Sequence, residues 1–216
     1  MTTAESDLKL STTGLVLHGA ARYDLMLWLA TLGRERVFRD RVLRLARLEP
    51  GEVVLDVGCG TGTLAIAAKG QVGTDGAVYG VDASPEMITR ARKKAKRAGV
   101  EINFKNGLAE TLPFPNVQFD VVLTTVMLHH LPGKARKQCV REIRRVLKPG
   151  GRVFAVEFGG AAREQRSFLG RFHRHGHVNP QELIALLGEA GLSVVESGAV
   201  GISSLQFVLA AAPCCR

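Results

Sequence analysis

Val53-Val54-Leu55-Asp56-Val57-Gly58-Cys59-Gly60-Thr61-Gly62 is the stretch that decides the fold. Its apolar opening with an acid near the end is the pattern of a buried strand that runs out at a polar edge. Three glycines follow at alternate positions, and an apolar segment that reads as a helix comes next. A glycine loop between a strand and a helix lets backbone touch a ligand, because no Cβ holds the ligand off. The dinucleotide fingerprint has its third glycine one residue further on, and Thr63 stands there. A second strand, Ala77-Val78-Tyr79-Gly80-Val81-Asp82, ends in an acid 20 positions after Gly62, where a carboxylate can grip a pair of ribose hydroxyls.

Outward from this unit, strands and helices alternate. Strands are predicted at about 52–57, 77–82, 101–105, 119–124, 151–157, 192–197 and 204–211. Ser84 is placed to cap the second helix, with Pro85 as its first residue. That helix buries Met87, Ile88, Ala91, Ala95 and Ala98 at helical spacing. A helix over 133–147 carries the stripe Cys139, Val140, Ile143, Val146, Leu147, and Pro149-Gly150-Gly151 stops it. Asn179-Pro180-Gln181-Glu182 has the form of a helix cap with Glu182 at the capping-box position. The alternation predicts a mostly parallel sheet with helices on both faces. The last two strands have only a Gly-containing turn between them, so they form a hairpin and one strand is antiparallel. Residues 15–48 read as two helices; in the second, Phe38, Val42 and Leu45 share a stripe among Arg36, Arg39, Arg41, Arg44 and Arg47.

The chain has 216 residues, enough for one α/β domain with a substantial core. Its 46% hydrophobic and 23% charged content is that of a soluble globular protein. The early Glu5 and Asp7 do not fit a signal peptide, and the apolar Tyr23 to Gly33 is too short to span a bilayer. Cys59, Cys139, Cys214 and Cys215 show no CxxC spacing, which argues against a disulfide framework and for a cytoplasmic setting. The 29 Lys and Arg exceed the 20 Asp and Glu, giving +9. That balance favours anionic partners, whether nucleic acid, an anionic membrane surface or an acidic substrate. Part of it is local, since Arg90, Arg92, Lys93, Lys94, Lys96 and Arg97 share one helix. A solvated helix face accounts for that cluster better than a binding patch does.

Four segments in order and spacing carry a family resemblance: Asp56 to Gly62; Val81-Asp82-Ala83-Ser84-Pro85-Glu86-Met87; Leu112-Pro113-Phe114 through Phe119-Asp120-Val121-Val122-Leu123; and Arg145 to Gly151. The chain resembles the class I S-adenosylmethionine (SAM)-dependent methyltransferases over about residues 50 to 160. Its spelling is similar to the ubiquinone/menaquinone-biosynthesis-like branch, which methylates mainly small molecules. The resemblance implies a three-layer, Rossmann-like α/β sandwich. Its sheet has seven strands, mostly parallel, with the last strand antiparallel. Residues 1–49 would form N-terminal cap helices and 50–216 the SAM-binding core, in one domain overall.

The resemblance also assigns roles. Gly58, Gly60 and Gly62 would pass close under the amino-acid end of SAM, and Asp56 would orient that loop or meet the ligand's ammonium. Asp82 would accept both ribose hydroxyls, and Ala83 and Met87 would sandwich the adenine. The family often reads Gly-Asp-Ala where this chain has Gly107-Leu108-Ala109. Leu108 cannot accept from the adenine amino group, a loss of about 1 kcal/mol for one hydrogen bond; Asn106 is the nearby polar side chain that could compensate. Thr124 and Thr125 would meet the SAM backbone. His129 and His130 are acid–base candidates because histidine titrates near neutrality; a pocket wall is the other reading. The N-terminal helices would form a lid, with Tyr23, Met26 and Trp28 lining the substrate. His173, His175 and His177 alternate in a basic loop that could cover the substrate. No Cys or close acid completes a metal set there, so no metal is expected.

The implied reaction is in-line methyl transfer to a small-molecule acceptor, giving S-adenosylhomocysteine (SAH). Alignment alone can supply roughly 7–11 kcal/mol of such a barrier, which is why no Ser-His-Asp or metal constellation is needed. An RNA or protein acceptor is the alternative that the basic charge allows, although Thr124-Thr125-Val126-Met127 replaces the Pro-Pro-aromatic tetrad of nucleic-acid amino methyltransferases. A membrane-lipid acceptor with peripheral membrane contact, and a non-catalytic SAM-binding protein, are further alternatives. The acceptor and the oligomeric state are not written in the residues.

Overall fold

The computed structural model describes residues 35–159, 178–202 and 204–214. In chain order the elements are α1 (Glu35–Leu45), β1 (Val53–Val57), α2 (Thr63–Val72), β2 (Ala77–Asp82), α3 (Pro85–Arg97), β3 (Asn103–Asn106), β4 (Phe119–Thr125), a 3-10 turn (Leu128–His130), α4 (Gly133–Val146), β5 (Leu147–Phe158), α5 (Pro180–Glu189), β6 (Ser193–Ala199) and β7 (Leu205–Ala211). One seven-stranded sheet has the order β3-β2-β1-β4-β5-β7-β6. Neighbours from β3 to β5 pair in parallel, and β7 is antiparallel to both β5 and β6. The hairpin read from the sequence inserts its second strand between β5 and its first.

Side-chain alternation gives the sheet two buried faces, as a parallel sheet between helix layers requires. Leu55, Val57, Val122, Val153 and Ala155 lie in one apolar cluster with Cys139, Val140 and Ile143 of α4 and Leu183 and Leu187 of α5. Val54, Val78, Leu123, Phe154 and Val156 lie in the other, with Leu64 and Ala68 of α2 and Ile88 and Ala91 of α3. The caps hold as the sequence predicts: the Ser84 hydroxyl accepts from Met87 N–H, and the Asn179 side-chain oxygen Oδ1 accepts from Glu182 N–H at 2.7 Å.

Three details add to or depart from the sequence reading. Phe38, Val42 and Leu43 of α1, with Ala46 just after it, are buried in the second cluster with Val54 and Leu209. This segment before residue 49 thus contributes apolar side chains to the core layer. The rest of the expected cap, residues 1–34 with Tyr23 and Trp28, lies outside the described residues. Next, β5 starts at Leu147, because Leu147 pairs with Phe119 before a register shift resumes at Val121↔Arg152. The Pro149-Gly150-Gly151 turn is a bulge inside that strand; at Gly151 a Cβ would stand 3.0 Å from the Asp120 carbonyl oxygen. Last, Ala98 is exposed as the C-terminal cap of α3.

The amino ends of the strands are tied by polar bonds. Asp120 accepts from Val53 N–H at 2.9 Å and from Lys148 Nζ at 2.8 Å on each oxygen. Arg152 reaches Glu52 at 2.6 and 2.9 Å and the Ala46 carbonyl at 3.0 Å.

Candidate active site

At the carboxyl ends of the strands the sheet order reverses between β1 and β4, the place where open α/β sheets bind ligands. The glycine loop after β1 is fastened to β2. The N–H groups of Gly58 and Cys59 both donate to the Val81 carbonyl, at 2.9 and 3.0 Å. Gly60 N–H donates to Asp82 Oδ2 at 2.9 Å, and Ser84 N–H donates to Asp82 Oδ1 at 2.8 Å. Each Asp82 oxygen has thus taken one backbone donor and retains a second acceptor direction. Burial raises the Asp82 carboxyl above its ordinary range, and the N–H groups of Ser84 and Gly60 oppose that.

Two of the glycines have distinct structural duties. Gly58 has φ +74, and a Cβ there would stand 2.4 Å from Met127 Cγ; the loop after β4 lies directly on the loop after β1. Gly62 has φ +76, and a Cβ would stand 2.7 Å from Phe104 Cζ and 2.9 Å from Ala91 Cβ. Its missing side chain lets α2 start against α3 and β3. Asp56 lies beneath, 1% exposed, with neither carboxylate oxygen hydrogen-bonded. Desolvation, then the charge of Asp82, push its carboxyl up to about 7, with the Ala65 backbone acting the other way. Burial likewise pushes the Cys59 thiol well up, so it is inert in the loop.

Ala83 is half-buried beside Asp82, while Met87 is buried in the first turn of α3. Gly107 N–H and Asn106 Nδ2 both donate to the Asp82 carbonyl, at 3.1 and 2.9 Å. Asn106 therefore has its amide nitrogen committed to the backbone. Leu108 is buried and bridges to Thr111, and Ala109 is half-buried. This loop is clamped from α4: Glu142 accepts from Leu112 N–H at 2.8 Å, and Arg145 donates to the carbonyls of Leu112 and Phe114. Arg145 holds the Glu142 carboxyl below its usual range.

After β4, Thr124 is buried with an unbonded hydroxyl, and Thr125 is half-buried. Val126 takes φ +53, a left-handed conformation that a β-branched residue rarely adopts. His129 and Glu157 then meet: His129 Nδ1 is 2.8 Å from Glu157 Oε2, at 6% and 4% exposure. Glu157 Oε1 accepts from Met127 N–H at 3.0 Å and Leu128 N–H at 2.7 Å. His130 lies against His129, ring centroids 3.9 Å apart. Arg136 closes the turn by donating to the Leu128 and Leu131 carbonyls and pairing with Glu182 at 2.5 Å. Asp56, Asp82, Thr124, His129 and the loops around them thus share one end of the sheet. His173, His175 and His177 lie outside the described residues, and no metal-binding trio occurs among the described ones.

Sequence reasoning missed Glu157, Arg136 and Glu142. Glu157 carried a usable signal, since it is an acid at the carboxyl end of an apolar run, Val153 to Val156, as Asp56 and Asp82 are of theirs.

The methyltransferase domain family matches residues 54–151. The chain carries a class I SAM-dependent methyltransferase domain. A similar protein is the ubiquinone/menaquinone biosynthesis C-methyltransferase of Laribacter hongkongensis, 36% identical over 157 residues. That match takes in 72% of this chain, and the chain spans 64% of the relative's length. Among solved structures, a SAM-dependent methyltransferase from Aquifex aeolicus superposes with a TM-score of 0.71 at 22% identity, over 90% of this chain and 99% of that one. The [4+2]-cyclase SpnF superposes with 0.72 at 18% identity, over 95% and 100%. These two likenesses speak for the fold alone.

SAM is the cofactor of this domain class, and the residues of the methyltransferase domain fit it. Asp82 retains two acceptor directions on a fixed carboxylate, the geometry that two vicinal hydroxyls need. Asp56 is a buried acid without a partner, and Thr124 a buried hydroxyl without one. A cationic amino acid carrying a nucleoside complements such a set.

Proposed function

We propose that the protein transfers the methyl group of SAM to a small-molecule acceptor. The observation that carries this reading is Asp82, fixed at both oxygens by the backbone of the glycine loop and of the α3 cap. SAM supplies a methyl group on a sulfonium and leaves as SAH. The chain's part is to hold the acceptor in line with that methyl and keep water out. In this reading Gly58, Gly60, Gly62 and Asp56 border the amino-acid end, Asp82 the ribose, and Ala83, Met87, Gly107, Leu108 and Ala109 the adenine. The name of the similar C-methyltransferase makes an activated ring carbon of a quinol the first acceptor class to try.

The expected setting is the cytoplasm, since Cys59 and Cys139 are free thiols in the core. No helix among the described residues is long and apolar enough to cross a membrane. The exposed Arg92, Lys93, Lys96 and Arg97 of α3 give a footing on an anionic surface, worth about 1 kcal/mol per charge at a membrane.

The test is to incubate the protein with methyl-labelled SAM and extract from its source, then fractionate the label. Label in an organic-extractable small molecule supports the reading and yields the acceptor's mass. Label in acid-precipitable RNA or protein overturns it. Tight SAH binding with no transfer in any fraction would favour a SAM-fold protein with another task.

A further inference from the structure

We infer that Glu157 is a positioning residue that fixes His129 with its proton on Nδ1, so that Nε2 serves as the base for methyl transfer. The inference rests on the methyltransferase reading above. The assignment follows from what surrounds Glu157. Its Oε1 is held by two backbone donors, Met127 N–H at 3.0 Å and Leu128 N–H at 2.7 Å. Only an acceptor can sit there. Its Oε2 faces His129 Nδ1 at 2.8 Å. A carboxylate that takes backbone donors on one oxygen presents the other as an acceptor too, so the Nδ1 position donates and the ring's lone pair falls on Nε2. The two N–H bonds and the Nδ1 bond together satisfy a charge that is 4% exposed and would otherwise be costly to bury.

The same contacts place the ring. Glu157 is the penultimate residue of β5, and its grip on Met127 and Leu128 holds the turn that follows the left-handed Val126. Val126 N–H itself donates to the Val156 carbonyl at 2.8 Å. The ring therefore stands at the carboxyl edge between β4 and β5, on the sheet face that carries the buried hydroxyl of Thr124. The His130 ring leans on that of His129.

The chemistry suits an oxygen or carbon acid. Nε2 takes the acceptor's proton, and the electron pair left on the acceptor forms the new bond to the methyl carbon. The carbon–sulfur bond breaks with its pair remaining on sulfur. The imidazolium formed is stabilised by the Glu157 carboxylate and returns its proton to water.

A substitution by glutamine discriminates a positioning role from a structural one. The two backbone donors require the amide oxygen at the Oε1 position, which turns the amide NH2 toward His129 Nδ1. A donor against Nδ1 moves the ring proton to Nε2, and the base is lost in a side chain of nearly the same shape. The experiment is long-range proton–nitrogen NMR on the full chain with [15N]histidine, run beside SAH calorimetry and the labelled-methyl assay. The wild type is expected to carry its His129 proton on Nδ1, and Glu157→Gln to carry it on Nε2. The variant's transfer rate should fall about 10²-fold, with SAH affinity within about twofold of wild type. Glu157→Asp, which keeps an acceptor facing the ring, should retain the Nδ1 proton and part of the rate. A wild-type proton on Nε2, or an inverted tautomer at full rate, overturns the pair. Failure of the wild type to bind SAH would sink the methyltransferase reading itself.

Discussion

Gly60 donates its backbone N–H to the Oδ2 of Asp82 at 2.9 Å, so the glycine loop of one strand is held by the terminal acid of the next. The proposed ribose ligand is thereby also a structural clasp. Ligand affinity and loop order are coupled through a single carboxylate.

Asp82→Asn should therefore be no mild change. One of its two backbone donors would face an NH2 in place of an oxygen. Hydrogen bonds to charged groups contribute about 1.5–3 kcal/mol, so SAH affinity should fall roughly 10- to 100-fold by calorimetry. Asp82→Ala should fall at least as far. Unchanged affinity in either variant would remove Asp82 from the ligand site.

Asp56 should make stability depend on pH. Its folded-state carboxyl titrates at about 7 against an ordinary 3.8. The folded state holds the proton longer, so the stabilisation is complete below about pH 4 and is lost as pH rises toward and through 7. Wild-type Tm should drop across that window. Asp56→Asn should flatten the profile and gain on the order of 2–4 kcal/mol relative to wild type at pH 8. Parallel melting curves for the two proteins would refute the burial argument.

The sheet was legible because buried parallel strands are written as continuous apolar runs, and Val53–Val57 and Ala77–Asp82 sit where their runs place them. The helix caps were legible because Ser84-Pro85 and Asn179-Pro180 are local chemistry. Leu147 was not, since its choice of strand over helix is made by a partner, Phe119, far along the chain. Nor was the inward packing of α1: an arginine-rich amphipathic helix has the same pattern whether it lies on a sheet or over a ligand. His129 stood out by residue type, whereas the acid that orients it is 28 positions away and meets it only through the register of β4 and β5.

Gly62→Ala tests the start of α2. The new Cβ meets Phe104 and Ala91 at under 3 Å in a left-handed conformation. Left-handed backbone costs about 1–2 kcal/mol for an alanine and overpacking a further 1–3. Urea unfolding should show a loss of about 2–4 kcal/mol; a loss below about 1 would mean that the helix start yields more easily than its contacts suggest.

Arg136→Met keeps the buried stem and removes the guanidinium. The Leu128 and Leu131 carbonyls lose their donors, while Glu182 is half-exposed and can turn to water. A loss of about 2–3 kcal/mol is expected, with hydrogen exchange rising first in residues 127–132. Uniform exchange across the chain would place Arg136 in global stability instead of this turn.

The ties among Val53, Asp120, Lys148, Arg152 and Glu52 lie at the opposite end of the strands from Asp82 and His129. Durability and chemistry are thus written at opposite poles of one sheet. Laboratory evolution could rewrite the segments 108–117 and 126–132 in search of new acceptors while the far pole keeps the strands in register. Conversely, reinforcing that pole would create tolerance for such changes without altering which acceptor is chosen.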